Sequence, residues 1–446
     1  MKTPIVDFVR SYEERDPLRL HMPGHKGLSL TGYESGDITE IAGADSLYEA
    51  SGIIKESEDN ASLLFGSAKT LFSTEGSSQC IRAMLSLVKL HAKRTGKAPT
   101  VLAARNVHKT FLTAVGLLNL DVRWMPSLAA DSYLSCTPDW DGLERMLEES
   151  PPAAVYVTSP DYLGNRLPLD RLSRLCHRYG ALLLVDNAHG AYLKFLPKSE
   201  HPLDLGADLC CDSAHKTLPA LTGAAYLHIG ESAPEWMRQE ARDAMALFGS
   251  TSPSYLILQS LDRVNAYLDE EYREKLAAYL PLVESCRADL QGRGLTFVGN
   301  EPLKLTVDAK AMGYLGTDLA RLLGEQNVEC EFADPDFLVL MLSCEQGAEG
   351  LERLSHAFAT IKKREPILDR PPVPSLPRRV LSVRDAMFSP SRWVSTEEAE
   401  GEILASLSLS CPPAVPIAVC GERLDGTTLD LFRYYGIEGC RVVCQS

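Results

Sequence analysis

The sequence predicts an α/β fold: a large domain with a mostly parallel central sheet, a smaller α+β domain and a small C-terminal domain. Three observations carry this. Apolar strand-like runs alternate with helical patterns through the first 285 residues. The alternation gives way to a compact strand–helix–strand pattern after about residue 286. A proline-rich stretch, REPILDRPPVPSLPRR, then separates the remainder.

The strand-like runs are TVLAAR (100–105), AAVYVT (153–158), ALLLVD (181–186), ADLCCD (207–212) and GAAYLHI (223–229). Near-continuous apolar character fits strands covered on both faces, and alternation with helices such as PLDRLSRLCHRY (168–179) implies parallel crossovers. Between 295 and 360 the pattern reads strand (LTFVGN), helix capped by Thr317, two strands (VECEF, FLVLML) and a helix from about 348. Pro366, Pro371, Pro372, Pro374 and Pro377 make the next segment an extended spacer. The expected boundaries are therefore 1–285, 286–365, 366–379 (linker) and 380–446.

Composition narrows the function classes. The 446 residues carry a net charge of −15 with no basic block, which disfavours a nucleic-acid surface and suits a cationic small molecule. No run approaches the ~20 apolar residues of a spanning helix, and the N-terminus lacks a secretion signal, so no membrane partner is expected and the cytoplasm is the expected compartment. Twelve cysteines in a chain of this length, with no CxxC pair, read as reduced and mostly buried thiols rather than a metal site. Nucleotide-loop and hydrolase signatures (G-x-G-x-x-G, G-x-x-x-x-G-K-[ST], H-E-x-x-H, G-x-S-x-G) are missing.

The chemistry concentrates at strand ends. Ser213-Ala214-His215-Lys216-Thr217 follows one strand, and a lysine there, beside a hydroxyl, is how a pyridoxal phosphate enzyme presents its Schiff-base amine. Asp186, thirty residues upstream, ends a second strand, where open α/β sheets bind ligands, and can pair with a protonated pyridine nitrogen. Gly76-Ser77-Ser78-Gln79 opens a strong helix whose first turn can hold a phosphate, although serines there also serve as plain caps. His108, after a third strand, can lie on an aromatic ring or be a polar loop residue. His21 and His25 have helical metal-ligand spacing, but Pro23 and Gly24 between them argue for a loop near the active site instead.

In chain order, HMPGHKG, LFGSAKTLFSTEGSSQ, RNVHKT, SPDYLGN, VDNAHGAYL, SAHKTLPALTG, STSPSY and CPPAVPIAVCGE span most of the sequence. Together they resemble the Orn/Lys/Arg decarboxylases, pyridoxal phosphate enzymes of the fold type I class. The resemblance implies decarboxylation of arginine, lysine or ornithine, with arginine favoured, to an amine of polyamine synthesis. It implies that Lys216 carries the cofactor and Asp186 pairs its pyridine nitrogen. His108 would stack on one ring face, Ala188 would pack on the other, and His189 would lie near the ring hydroxyl. Ser78, Gln79 and Ser213 would hold the phosphate with Ser77 nearby, and His215 would handle a proton. Ser250 and Thr251 would reach the partner subunit's cofactor, which implies an obligate homodimer or higher homo-oligomer. The chain also resembles the short form without an N-terminal wing domain, which puts a wing-dependent decamer in question.

Glu75 stands where the family more often has asparagine, and a carboxylate beside a phosphate would repel it, so Glu75 is expected to point away. Glu329, Glu331, Asp334 and Glu422 are candidate readers of a cationic side chain, against the simpler reading of surface acids. Two rivals stay open at this point: an aminotransferase or other lyase on the same fold, and a non-catalytic binding protein. The stretch 328–344 contains no arginine to clamp a substrate carboxylate, which favours decarboxylation over transamination.

Overall fold

The computed structural model describes residues 1–128, 132–374, 376–407, 409 and 415–444. Part of the CPPAVPIAVCGE motif, Cys411–Ala414, lies outside the described residues. The chain divides into two compact units, each made of two segments: Met1–Arg94 with Leu169–Ala277, and Thr95–Pro168 with Ala278–Ser446.

Among the described residues the strands of the mostly parallel central sheet are β1 (Lys69–Ser73), β2 (Thr100–Ala103), β3 (Asp121–Trp124), β4 (Ala154–Thr158), β5 (Leu182–Asp186), β6 (Leu209–Asp212) and β7 (Ala225–Ile229). In the first unit the order is β1-β7-β6-β5. There β5 and β6 run parallel, while β7 runs antiparallel to both β6 and β1. Every residue of β5, β6 and β7 is buried, as their aliphatic runs require. In the second unit β4, β2 and β3 pair in parallel.

The five strand-like runs of the sequence are thus strands, and β1 and β3 are additional ones. Both are short and begin on a charged residue, Lys69 and Asp121, which hides them from an apolar-run reading. The helix after GSSQ spans Gly76–Thr95, burying Ile81, Met84, Leu85 and Val88, and Gly96 ends it in the left-handed conformation (φ +69°) that only glycine adopts cheaply.

The second unit also carries a four-stranded antiparallel sheet from β8 (Phe297–Val298), β9 (Lys304–Asp308), β10 (Phe332–Ala333) and β11 (Phe337–Met341), in the order β10-β11-β9-β8. The strand expected over VECEF is pared to its end at Phe332–Ala333, and β9 was not expected. The helix Gly316–Gly324 starts one residue before Thr317, so Leu315 rather than Thr317 occupies the cap position. Residues 364–374 hold no regular element. Beyond them, β12 (Ser391–Ser395) pairs with β13 (Gly439–Val443). This last piece does not bury its apolar side chains alone: Val394, Leu429, Phe432 and Val442 share one core with Tyr133, Leu163, Phe337 and Val339.

No helix among the described residues is long and apolar enough to cross a membrane. Every described cysteine is a free thiol, with only Cys444 exposed and Cys330 partly so.

Candidate active site

The carboxyl ends of β5 and β6 bring several of the sequence-singled residues together. Asp186 closes β5, only 2% exposed, and its Oδ1 accepts from the Ala188 backbone N–H (3.2 Å) and from the Cys211 thiol of β6 (3.7 Å). The β5 strand continues into a turn in which Gly190 N donates to Asn187 O (2.8 Å), and this turn carries Ala188 and His189, both buried. After β6, Ser213 occupies the cap position of the single-turn helix Ala214–Thr217, which presents His215 and Lys216. Lys216 is exposed, and its Nζ lies 3.0 Å from His189 Nε2. An amine at that distance from an imidazole nitrogen can pass a proton along one hydrogen bond.

His215 is held by Ala224. Its Nδ1 donates to the Ala224 carbonyl (3.0 Å), and its own backbone N–H reaches the same oxygen (3.2 Å). That contact places the ring proton on Nδ1 and leaves Nε2 as the atom able to accept one.

The opening of the Gly76–Thr95 helix meets the same region. Ser213 Oγ and Ser77 Oγ are hydrogen-bonded at 2.9 Å. The first turn contains no acidic residue, so the positive end of the helix and its backbone N–H groups are suited to an anion. Glu75, just before it, is exposed, and its carboxylate accepts from the Ser250 backbone N–H. Gln79 is fully engaged through its side chain: Oε1 accepts from Ser73 Oγ (2.6 Å), and Nε2 donates to Tyr48 OH (2.7 Å) and Met245 O (2.9 Å). Its backbone is what Gln79 has to offer a ligand. Gly249 allows this packing, because a Cβ there would collide with Tyr48 and Gln79. Thr251 lies exposed on the loop after the helix Glu235–Ala246.

His108 belongs to the second unit. It caps the helix Lys109–Leu118, with Nδ1 accepting from Thr110 N (3.2 Å) and 2.9 Å from Thr110 Oγ1. The N–H donor fixes Nδ1 as the acceptor, so its proton resides on Nε2.

The acids considered as side-chain readers have distinct fates within that unit. Both oxygens of Glu422 are taken by the Arg105 guanidinium (2.9 and 2.8 Å), and Glu422 is buried, which makes it half of a structural ion pair. Glu331 accepts from Tyr162 OH (2.9 Å). Asp334 is buried and accepts from the backbone N–H of Asp336 and Phe337 (2.8 and 2.6 Å). Glu329 lines a surface groove of about 360 Å³ with Glu349 and Arg353.

Sequence reasoning missed the groups that hold the site from behind. Asn187, between Asp186 and Ala188, donates from Nδ2 to Asp212 Oδ1 (2.6 Å), and Asp212 Oδ2 meets His201 and His228. Asp212, His201 and His228 are charged or ionisable yet entirely buried. The available signal was an acid at the end of an otherwise apolar strand.

The donor set fits pyridoxal phosphate. A buried carboxylate ends one strand, an exposed lysine follows the next, and serines open an adjacent helix whose first turn carries no acid. Fold and site together define a pyridoxal-phosphate-dependent enzyme of the fold type I class. The model of the Orn/Lys/Arg decarboxylase major domain matches residues 3–298. The chain belongs to the Orn/Lys/Arg decarboxylase family and is an amino-acid decarboxylase dependent on pyridoxal phosphate. It is 30% identical to the protein YaaO of Bacillus subtilis, covering 95% of this chain and 92% of that one. It is 28% identical to an arginine decarboxylase of the same organism, covering 94% and 91%. Among solved structures it is similar to the Francisella novicida lysine decarboxylase LdcF, with a TM-score of 0.81 and 16% identity over 99% of this chain and 81% of that one, a likeness of fold.

Proposed function

We propose that this protein removes the α-carboxylate of arginine, releasing CO₂ and the corresponding amine for polyamine synthesis, and that it does so as a homodimer in the cytoplasm. The observation that carries the reading is the convergence of Lys216, His189 and Asp186 at the ends of β5 and β6. The choice of arginine rests on relatives covering nearly the whole chain that bear the name arginine decarboxylase.

Bound pyridoxal phosphate supplies the electron sink that takes up the pair left when the Cα–carboxylate bond breaks. The residues of this chain do the rest. Lys216 Nζ would hold the cofactor through its aldehyde, and His189 Nε2, 3.0 Å away, is placed to accept or return the amine's proton. Asp186, buried and steadied by Ala188 N–H and the Cys211 thiol, would pair with the pyridine nitrogen and favour its protonated form. Ser77, Ser78, Ser213 and the backbone of Gln79 would hold the phosphate at the helix start. Ala188, buried beside Asp186, would pack against one face of the ring. His215, with its proton on Nδ1, would have Nε2 for handling the proton returned at Cα. Thr251 and Ser250 serve the partner's site from their exposed loop.

The test is CO₂ release by the purified, cofactor-loaded protein from arginine, lysine and ornithine. Arginine is expected to give the highest kcat/KM, with amine and CO₂ in equal amounts. Faster turnover of lysine or ornithine would overturn the substrate, and keto acid without CO₂ would overturn the reaction.

A further inference from the structure

The site just proposed rests on a cluster that its chemistry does not use. Asp212 ends β6 with its carboxylate facing into the protein. Its Oδ2 lies 3.0 Å from His201 Nε2 and 3.2 Å from His228 Nε2, and its Oδ1 accepts from Asn187 Nδ2 at 2.6 Å. His228 sits on β7 and continues the chain of bonds to Thr70 Oγ1 on β1 (2.8 Å), which meets Ser67 Oγ (2.7 Å). Asp212, Asn187, His201 and His228 are all 0% exposed.

His201, Cys210 and Asp212 offer atoms within 4.8 Å of one another, the spacing of a metal site. The tautomer argues otherwise. The Leu203 backbone N–H donates to His201 Nδ1 (3.4 Å), so the ring proton sits on Nε2 and points at Asp212. A ligating nitrogen carries no proton. The cluster is instead a buried carboxylate satisfied by hydrogen-bond donors, with burial favouring neutral His228.

Its reach into the active site runs through Asn187. That residue lies directly between Asp186 and Ala188, and its backbone N–H also donates to Cys211 O (3.0 Å). Asp212 itself is four residues before Lys216 along the chain. We infer that Asp212, braced by His201 and His228, is a positioning residue: through Asn187 it sets the turn bearing Asp186 and His189 against Lys216. This rests on the site proposed above. Asparagine at 212 replaces one accepting oxygen by an N–H₂ donor, so the bond to Asn187 is either lost or kept only if the Asn187 amide turns over, and in both cases the fixed arrangement of the turn is disturbed.

The experiment uses the whole chain. The dissociation constant for pyridoxal phosphate, the absorbance band of the bound cofactor, and the melting temperature of the cofactor-free protein are measured for wild type, Asp212→Asn, Thr70→Val and Met237→Ala. Asp212→Asn is expected to weaken cofactor binding about tenfold or more and to shift the band. Thr70→Val, which cuts the outer bond to His228, is expected to weaken binding about threefold. Met237 is buried in the helix Glu235–Ala246, outside the site, and its truncation should lower the melting temperature with binding unchanged. The inference falls if Asp212→Asn and Thr70→Val bind within about twofold of wild type with an unshifted band, or if Met237→Ala weakens binding in step with its lost stability. If Asp212→Asn does not fold, Thr70→Val alone decides by the same twofold limit. A wild-type protein that binds no cofactor at Lys216 would instead refute the site reading.

Discussion

Lys216 of the first unit and two lysines of the second are handled in opposite ways. Lys216 of the first unit is exposed, and its amine meets an imidazole nitrogen. Lys304 and Lys310 of the second unit are each 1% exposed and closed off by carboxylates, Glu301 at 2.9 Å and Asp336 at 3.1 Å. Lys310 is further bound by Asp369 O (2.8 Å) and Tyr434 OH. A carboxylate holds an ammonium charged and therefore unreactive, whereas an imidazole can take its proton and release the nucleophile. The contrast teaches where covalent chemistry can occur: burial and ion pairing make a lysine structural, and exposure beside an imidazole makes it available.

Substitutions can break that comparison. Lys216→Ala is expected to lower kcat/KM by at least about 10³-fold and to abolish borohydride-fixed cofactor at that position, with little change in melting temperature. Lys310→Met should do the reverse. It leaves the buried Asp336 carboxylate without its counter-charge, held only by the Tyr434 and Tyr435 hydroxyls, and is expected to cost about 3–5 kcal/mol of stability, read by denaturant titration, while folded molecules keep their turnover. A Lys310 variant with native stability and lost activity would erase the distinction.

Asp186→Asn sharpens the first-unit side. Asparagine preserves shape and the Ala188 N–H bond but no longer favours a protonated ring nitrogen. The expected result is a kcat loss of roughly 10²–10³-fold with cofactor still bound, seen by steady-state kinetics beside cofactor titration. Unchanged turnover would remove Asp186 from the mechanism.

The two sides were unequally legible in the sequence. The runs ALLLVD and ADLCCD are wholly buried strands, so their apolar composition announced them, and the Asp and Lys that follow stood out by position. β9 was hidden because Lys304 begins it, and a lysine reads as exposed unless its partner Glu301 is seen in space. The Asp212 cluster was hidden for a similar reason. Its members come from β6, β7 and two turns, and only the register between strands unites them. Glu422 was legible as an acid but not as the partner of Arg105, 317 positions away. Local pattern conveys burial, whereas pairing across the sheet decides which charge is chemistry and which is scaffold.

The smallest expected effect tests the second unit through pH. Burial lifts the Asp334 carboxyl from 3.8 to about 6, and its Oδ2 has no hydrogen-bond partner among the described residues. A carboxyl raised in the folded state binds its proton more tightly there than in the unfolded chain. Its contribution to stability is therefore full below about pH 4 and is lost as pH rises through about 6. Above that the native state holds a poorly solvated charge. Asp334→Asn keeps an oxygen for the N–H groups of Asp336 and Phe337 and removes the charge. It should be near neutral at pH 4 and stabilising by about 1–2 kcal/mol at pH 8, read by urea titration at the two pH values. A variant less stable than wild type at pH 8 would mean that the neighbouring Lys310 sustains the Asp334 charge after all, and that the second unit uses its buried lysine for two carboxylates rather than one.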